Sequence, residues 1–296
     1  MKSRKERNDL SVGWQNICEV KRMKKWTVAL ILLFSFVLSG CNKHVDTIEL
    51  FCREEGSGTR DMFASGIGLM EDGVDRLSDA ANVTGSGAVM LSAVERTANA
   101  IGFLSAAVVN EKVKTVTIDG TLPEDGDAYP LFRRFLVAYD AAADNAILSD
   151  FISFLSSTSV YDTVKEMGYF TEPAEKTYQM KKPLSGELSV AGSASVFPLM
   201  ERLAAEYMKL QPNVKIEIQQ NDSSTGISLL SRGVTDVAMS SRNVKDGELE
   251  QRHKIVSIAG DAIAVIVHPS NLHDDLSTQK LADIFSGKVR NWYEIV

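Results

Sequence analysis

Residues 47–63 read TIELFCREEGSGTRDMF. The first six, TIELFC, are β-branched and apolar and predict a strand. Beyond the glycines, Met62, Phe63 and Ile67 fall on one helix face, although Gly66 and Gly68 weaken that helix. REEGSGT, residues 53–59, therefore sits at a strand-to-helix turn. There the free N–H groups of a helix start, the hydroxyls of Ser57 and Thr59 and the guanidinium of Arg53 can converge on one point, which is the chemistry an oxyanion needs. A plain glycine turn capped by serine or threonine explains the same residues. This stretch alone does not separate the two readings.

The pattern repeats along the chain. From residue 46, strands alternate with helices, and an α/β fold with mostly parallel strands is expected. Residues 171–186, TEPAEKTYQMKKPLSG, are polar and carry two prolines and a glycine, as a linker does. Beyond them ELSVAGS predicts a strand and SVFPLMERLAAEYMKLQP a helix, with apolar residues at 199, 200, 203, 204 and 207. Two more strand-end turns, GSASVFP (192–198) and NDSSTG (221–226), share the glycine-and-hydroxyl chemistry of REEGSGT, and MSSR (239–242) ends a strand on two serines and an arginine. In open α/β sheets ligands lie at the carboxyl ends of strands, where helix N-termini point. Four such turns together favour an anion site.

Composition narrows the partners. The 296 residues carry a net charge of −7; residues 1–40 hold eight Lys/Arg and three Asp/Glu, so the remainder has 24 basic and 36 acidic residues, a net −12. An acidic body argues against nucleic acid, but not against a small anion met by local donors. KRMKKW followed by TVALILLFSFVL and LSGC (38–41) is a secretory signal pattern, so residues 1–40 are expected to be removed, with translation starting at Met23. The apolar run is shorter than the ~18 residues of a spanning helix. Removing residues 1–40 takes Cys18 away and leaves Cys41 at the start of the body and Cys52 in an apolar strand. The histidines at 44, 253, 268 and 273 lack metal-ligand spacing, so neither metal nor cofactor is expected.

Taken together, GSASVFP, DVAMSSRNV, AGDAIAVIVHP, IFSGKVRNWYEI, REEGSGTRDMF, AIGFLS and YPLFRRFLV resemble the phosphate-binding proteins of ABC importers, over nearly all of residues 48–296. LSGC likewise resembles a bacterial lipobox, which implies a diacylglyceryl anchor on Cys41 at the extracytoplasmic face of the cell membrane. The order differs from the family pattern, in which GSSTVYP opens the chain and REEGSGTR follows NW. Here REEGSGTR lies near the start and the sequence given ends at NWYEIV. This looks like a circular permutation; a truncated tandem duplication gives the same order.

The resemblance implies a two-lobed periplasmic-binding-protein fold, each lobe a mostly parallel sheet flanked by helices, joined by two crossover strands. On this chain one lobe comprises 46–130 plus 269–296 and the other 131–268, with linker 171–186 joining the family's usual termini. It also implies inorganic phosphate as ligand, delivered to ABC permease and ATPase subunits, with no catalysis. Carried over position by position, the phosphate contacts are Arg53, Ser57, Gly58 and Thr59 from one lobe, and Ser195, Val196, Ser223, Ser241 and Arg242 from the other. Some members place an aspartate at the position of Ser241, where it accepts the proton of hydrogen phosphate. Asp222 is a candidate substitute, and selectivity among oxyanions stays open. The competing readings are a sensor of the same fold and a secreted hydrolase using Ser57 or Ser223. The hydrolase lacks a GxSxG elbow and a recognisable base.

Overall fold

The structure is a computed structural model that describes residues 47–295. The signal peptide and Cys41 lie outside the described residues. The opening stretch folds as a strand, β1 (Glu49–Arg53), a turn, and a helix, α1 (Gly58–Gly66). Leu50 and Cys52 on β1 are buried. Ser57 caps α1, its hydroxyl accepting from the Arg60 amide. Gly66 closes the helix and Gly68, at φ +74°, turns the chain away in a conformation that suits glycine. The two glycines thus end the helix rather than prevent it. Phe63 pins α1 to the core, stacked on Phe103 with centroids 3.8 Å apart and edge-on to Phe285 at 4.7 Å.

A small hairpin follows, β2 (Met70–Glu71) and β3 (Val74–Asp75), then β4 (Asn82–Thr84), α2 (Gly87–Arg96), β5 (Ala100–Ser105), β6 (Lys114–Ile118) and β7 (Phe132–Asp140). Helices α3 (Ala146–Leu155) and α4 (Tyr161–Glu166) precede β8 (Ser185–Ser193), α5 (Phe197–Leu210), β9 (Asn213–Asn221) and α6 (Ser223–Ser231). Last come β10 (Val237–Ser240), β11 (His253–Val267), β12 (Asp275–Leu276) and α7 (Thr278–Phe285). Residues 171–184 form no helix or strand, yet they are held: Tyr178 donates to Asp150 Oδ2 at 2.6 Å, where Tyr207 and Gln211 also donate.

One ten-stranded sheet runs in the order β4-β1-β5-β11-β7-β10-β8-β9, with β6 on β11 and β12 on β6. Its flanks are parallel (β4-β1-β5 and β10-β8-β9), and its centre is antiparallel. Two large cores lie along it, with two smaller clusters beside them, one around Met90, Leu104 and Ile266 and one of Ala138, Leu230 and Ala238. Of the large cores, one gathers residues from Ile48 to Leu131 and from Ala262 to Phe285; the other gathers residues from Phe135 to Ala259. The chain passes between them along β7 and returns along β11, which are antiparallel neighbours. The change on β11 falls inside the strand, because Ile263–Val267 already pair with β5, and not at residue 268, where the strand's apolar run stops. A register shift between Ser257 and Ala259 marks this crossing, and Phe170 bridges to Gly260 beside it.

Candidate functional site

The four turns nominated from sequence meet where the two halves face each other. Gly58, first residue of α1, has no room for a side chain: a methyl there would stand 2.5 Å from Ser223 Oγ, 2.6 Å from Ser241 Oγ and 3.0 Å from the Arg242 amide nitrogen. Next to it, Thr59 Oγ1 lies 2.9 Å from Ser195 Oγ. Ser224, one residue beyond Ser223, donates through its hydroxyl to Gly56 O at 3.3 Å. Local sequence explains each placement. Ser57 and Asp222 cap α1 and α6, and Ser193 ends β8 ahead of α5, so three of the turns bring the amino end of a helix to the cleft, while MSSR ends β10 with no helix after it.

The hydroxyls form a network. Ser193 donates to Ser241 Oγ at 2.9 Å, Ser223 Oγ lies 3.4 Å from Ser241 Oγ, and the Ser241 amide donates to Ser223 Oγ at 3.1 Å. All three serines are buried. Ser193 belongs to a quoted turn but was not among the expected contacts. Val196 is buried and its amide donates to Ser193 O at 3.1 Å, so this N–H is already used within the turn.

The two nominated arginines differ. Arg53 is buried; its Nε and Nη2 donate to the two oxygens of Glu54 at 2.8 and 2.7 Å, and Nη2 also reaches Gly85 O at 3.4 Å. Its Nη1 has no hydrogen bond to any described residue. Arg242 is equally buried, but its Nη1 and Nη2 donate to Glu248 at 2.8 and 2.7 Å, to Asn243 O and to Ser224 Oγ. Its Nε stands 3.2 Å from Asp61 Oδ2 of the opposite half, without hydrogen-bond geometry. This departs from the expected anion contact: the Arg242 side chain is spent on carboxylates, and only its backbone nitrogen faces Gly58. Burial, the largest single influence, would raise the Glu248 carboxyl, but the Arg242 hydrogen bonds, the Lys245 amide bond and the charges of both residues together hold the group below the usual carboxylate range.

Asp222, the candidate proton acceptor, is committed as a cap: its Oδ1 accepts from the Thr225 amide at 2.8 Å and its Oδ2 from the Thr225 hydroxyl at 2.6 Å. Arg60 is a brace. It grips Asp75 with two bonds, at 2.9 and 3.0 Å, and donates to Arg53 O. Cys52 is buried, and burial pushes its thiol up, away from the reactive thiolate.

A residue not anticipated lies beneath Thr59. Arg133, fully buried, donates to Thr59 Oγ1 at 2.7 Å and pairs with buried Asp261. A signal for it was present. In LFRRFLV, Arg133 falls on the same strand face as Leu131, Phe135 and Val137, and Asp261 interrupts the apolar run of β11. Charges in such positions need partners.

Comparison with known proteins places this geometry. Residues 178–294 match the PBP superfamily domain. The phosphate-binding protein PstS 2 of Streptococcus agalactiae is 37% identical over 273 residues, 88% of this chain and 93% of its own. This chain belongs to the PstS family. A crystal structure of the phosphate-binding protein of a phosphate ABC transporter from Streptococcus pneumoniae superposes with a TM-score of 0.71 at 37% identity, covering 84% of this chain and all of that one. The PstS of Pseudomonas aeruginosa matches 39% identically, but over 122 residues, 39% of this chain and 38% of its own. Within the PstS frame, the α/β architecture with two crossover strands agrees with the fold expected from sequence. Among the described residues no helix is long and apolar enough to cross a membrane.

Proposed function

We propose that this PstS-family chain captures inorganic phosphate between its two halves and hands it to an ABC permease, acting as a receptor and not as an enzyme. The observation that carries the reading is the meeting at Gly58. One turn of one half and three of the other bring hydroxyls and helix starts to one buried point, and the first of these turns begins at Arg53, whose Nη1 is uncommitted. A dehydrated oxyanion needs such donors in place of its water. The contacts we assign are Arg53 through Nη1, Ser57, Gly58 and Thr59 from one half, and Ser195, Ser223 and Ser241 from the other. We assign Arg242 to bracing, with at most its amide near the ligand. Catalysis is disfavoured because Ser193, Ser223 and Ser241 bond to one another and, among the described residues, no basic side chain bonds to Ser57 or Ser223.

The lobes we propose to close on the ligand are the two large cores, moving about β7 and β11. We also propose that the order is permuted relative to part of the family. A match over nearly the full length of both chains supports a shared order with the S. agalactiae protein, and the shorter match to the P. aeruginosa protein fits an order cut at another point. Anchoring through a lipid on Cys41 completes the proposal; Cys41→Ser is expected to release the chain from the membrane fraction. Calorimetric titration with phosphate, arsenate, sulfate and molybdate tests the ligand. Phosphate and arsenate are expected to bind tightest. Equal binding of sulfate would point to a general oxyanion receptor, consistent with an uncharged Ser241, and absence of binding by all four would overturn the reading.

A further inference from the structure

Arg133 and Asp261 face each other in register across the two crossover strands. Arg133 donates twice to Asp261 Oδ2, at 2.9 and 2.7 Å, and Ser105 at the end of β5 donates to Asp261 Oδ1 at 2.7 Å. The remaining arm of the guanidinium, Nη1, donates to Thr59 Oγ1 at 2.7 Å. Thr59 Oγ1 in turn lies 2.9 Å from Ser195 Oγ on the other half. One polar chain thus runs from β5 through both crossover strands to the first turn of α1 and across the cleft.

We propose that Arg133 is a positioning residue of the anion site, fixing the Thr59 hydroxyl as a donor aimed across the cleft and coupling that donor to the crossover strands. The inference rests on the oxyanion reading above. A threonine hydroxyl has one proton and two lone pairs, and a guanidinium offers donors alone. While Nη1 occupies a lone pair of Thr59, the Thr59 proton must point elsewhere, toward Ser195 and the meeting of the turns. Accepting a charge-assisted bond also polarises the O–H and strengthens it as a donor. Asp261 cancels the charge of Arg133, so the pair adds little long-range attraction for an anion. Its effect is local and passes through Thr59. Because Arg133 and Asp261 sit on the strands about which the halves would move, the same bonds hold the donor in register with the crossing.

A double-mutant cycle on the full-length chain in detergent, read by calorimetry with inorganic phosphate, tests this. Arg133→Gln with Asp261→Asn removes both buried charges together and keeps a polar side chain at each position. It is expected to weaken phosphate binding about tenfold or more. In a Thr59→Val background the same pair is expected to cost less than about twofold, because the hydroxyl it orients is gone. Arg133→Lys keeps the charge beside Asp261 but not the planar fork, and is expected to show the same Thr59-dependent loss. It decides the matter if the paired variant does not fold. A merely structural role would lower affinity by equal factors with and without the Thr59 hydroxyl. That additivity, or unchanged affinity in the wild-type background, overturns the inference alone. A wild-type chain that binds no phosphate overturns the functional reading and this inference with it.

Discussion

Arg53 and Arg242 are matched in most respects. Each is buried to the same degree, each ends or follows a strand at the cleft, and each grips a carboxylate with two bonds. They differ in what is left over. Arg53 meets one carboxylate, that of its neighbour Glu54, and keeps Nη1. Arg242 meets Glu248, Asn243 O and Ser224, and stands beside Asp61 and thereby near Lys245, which also pairs with Asp61. A buried arginine next to an anion site is a ligand or a brace according to how many of its five N–H groups its neighbours consume. Arg242 braces across the cleft, since Asp61 belongs to α1 of the other half.

The largest effect separating the two is expected in phosphate affinity. Arg53→Gln should weaken binding by about 2–3 kcal/mol, or roughly 30- to 150-fold, through the lost charge-assisted bonds. Calorimetry showing less than about a threefold loss would mean that Nη1 does not face the ligand. Arg242→Gln is the counterpart. It leaves Glu248 without its guanidinium and Asp61 with Lys245 alone, so its cost should fall on stability, about 1–3 kcal/mol, while phosphate affinity changes less than about tenfold. Melting measurements beside the titration would show this as a fall of several degrees, at roughly 2–4 °C per kcal/mol for a chain this long. An affinity loss as large as that of Arg53→Gln would erase the distinction.

Much of this comparison was legible in the sequence, and the missing part has one physical cause. REEGSGT, GSASVFP, NDSSTG and MSSR are local patterns, fixed by caps and turns within a few residues, and each lies at a strand end as its composition requires. What an arginine touches across the fold is not local. Asp61 lies far from Arg242 in the chain, and Glu248 approaches it through a loop without repeating structure. The same holds for Arg133, whose partners Asp261 and Thr59 come from β11 and α1. Strand alternation can put Arg133 on the face of Leu131, Phe135 and Val137, a signal that went unused, but it cannot say that its third contact is a hydroxyl of the cleft. The core change inside β11 escaped for a related reason. Every residue from Ile258 to Val267 is buried, Asp261 included, and only pairing partners distinguish the two ends.

The smallest expected effect is in pH dependence, and it sharpens the assignment of Arg242 as a brace. Glu248 is held below the usual carboxylate range, as is Asp75 beside Arg60, in each case because the arginine's bonds and charge, a backbone amide bond and the Lys245 charge together outweigh burial. A carboxyl whose folded pKa lies below its unfolded value of about 4 stabilises the fold above that value. The contribution is lost as the pH falls through the lower folded value, when the folded state must also take up the proton. Melting temperatures of the wild type and of Arg242→Gln should therefore differ by a constant amount from pH 7 to about 5, and draw together below about pH 4. In Arg242→Gln the Glu248 carboxyl has lost the arginine's bonds and charge and keeps the Lys245 amide bond, so that variant should be less sensitive to acid. The Arg60–Asp75 pair is untouched in both proteins and falls away in the difference. Two melting curves that stay parallel down to pH 3 would show that the Glu248 charge is not what holds Arg242, and would return its guanidinium to the list of groups free to meet the ligand.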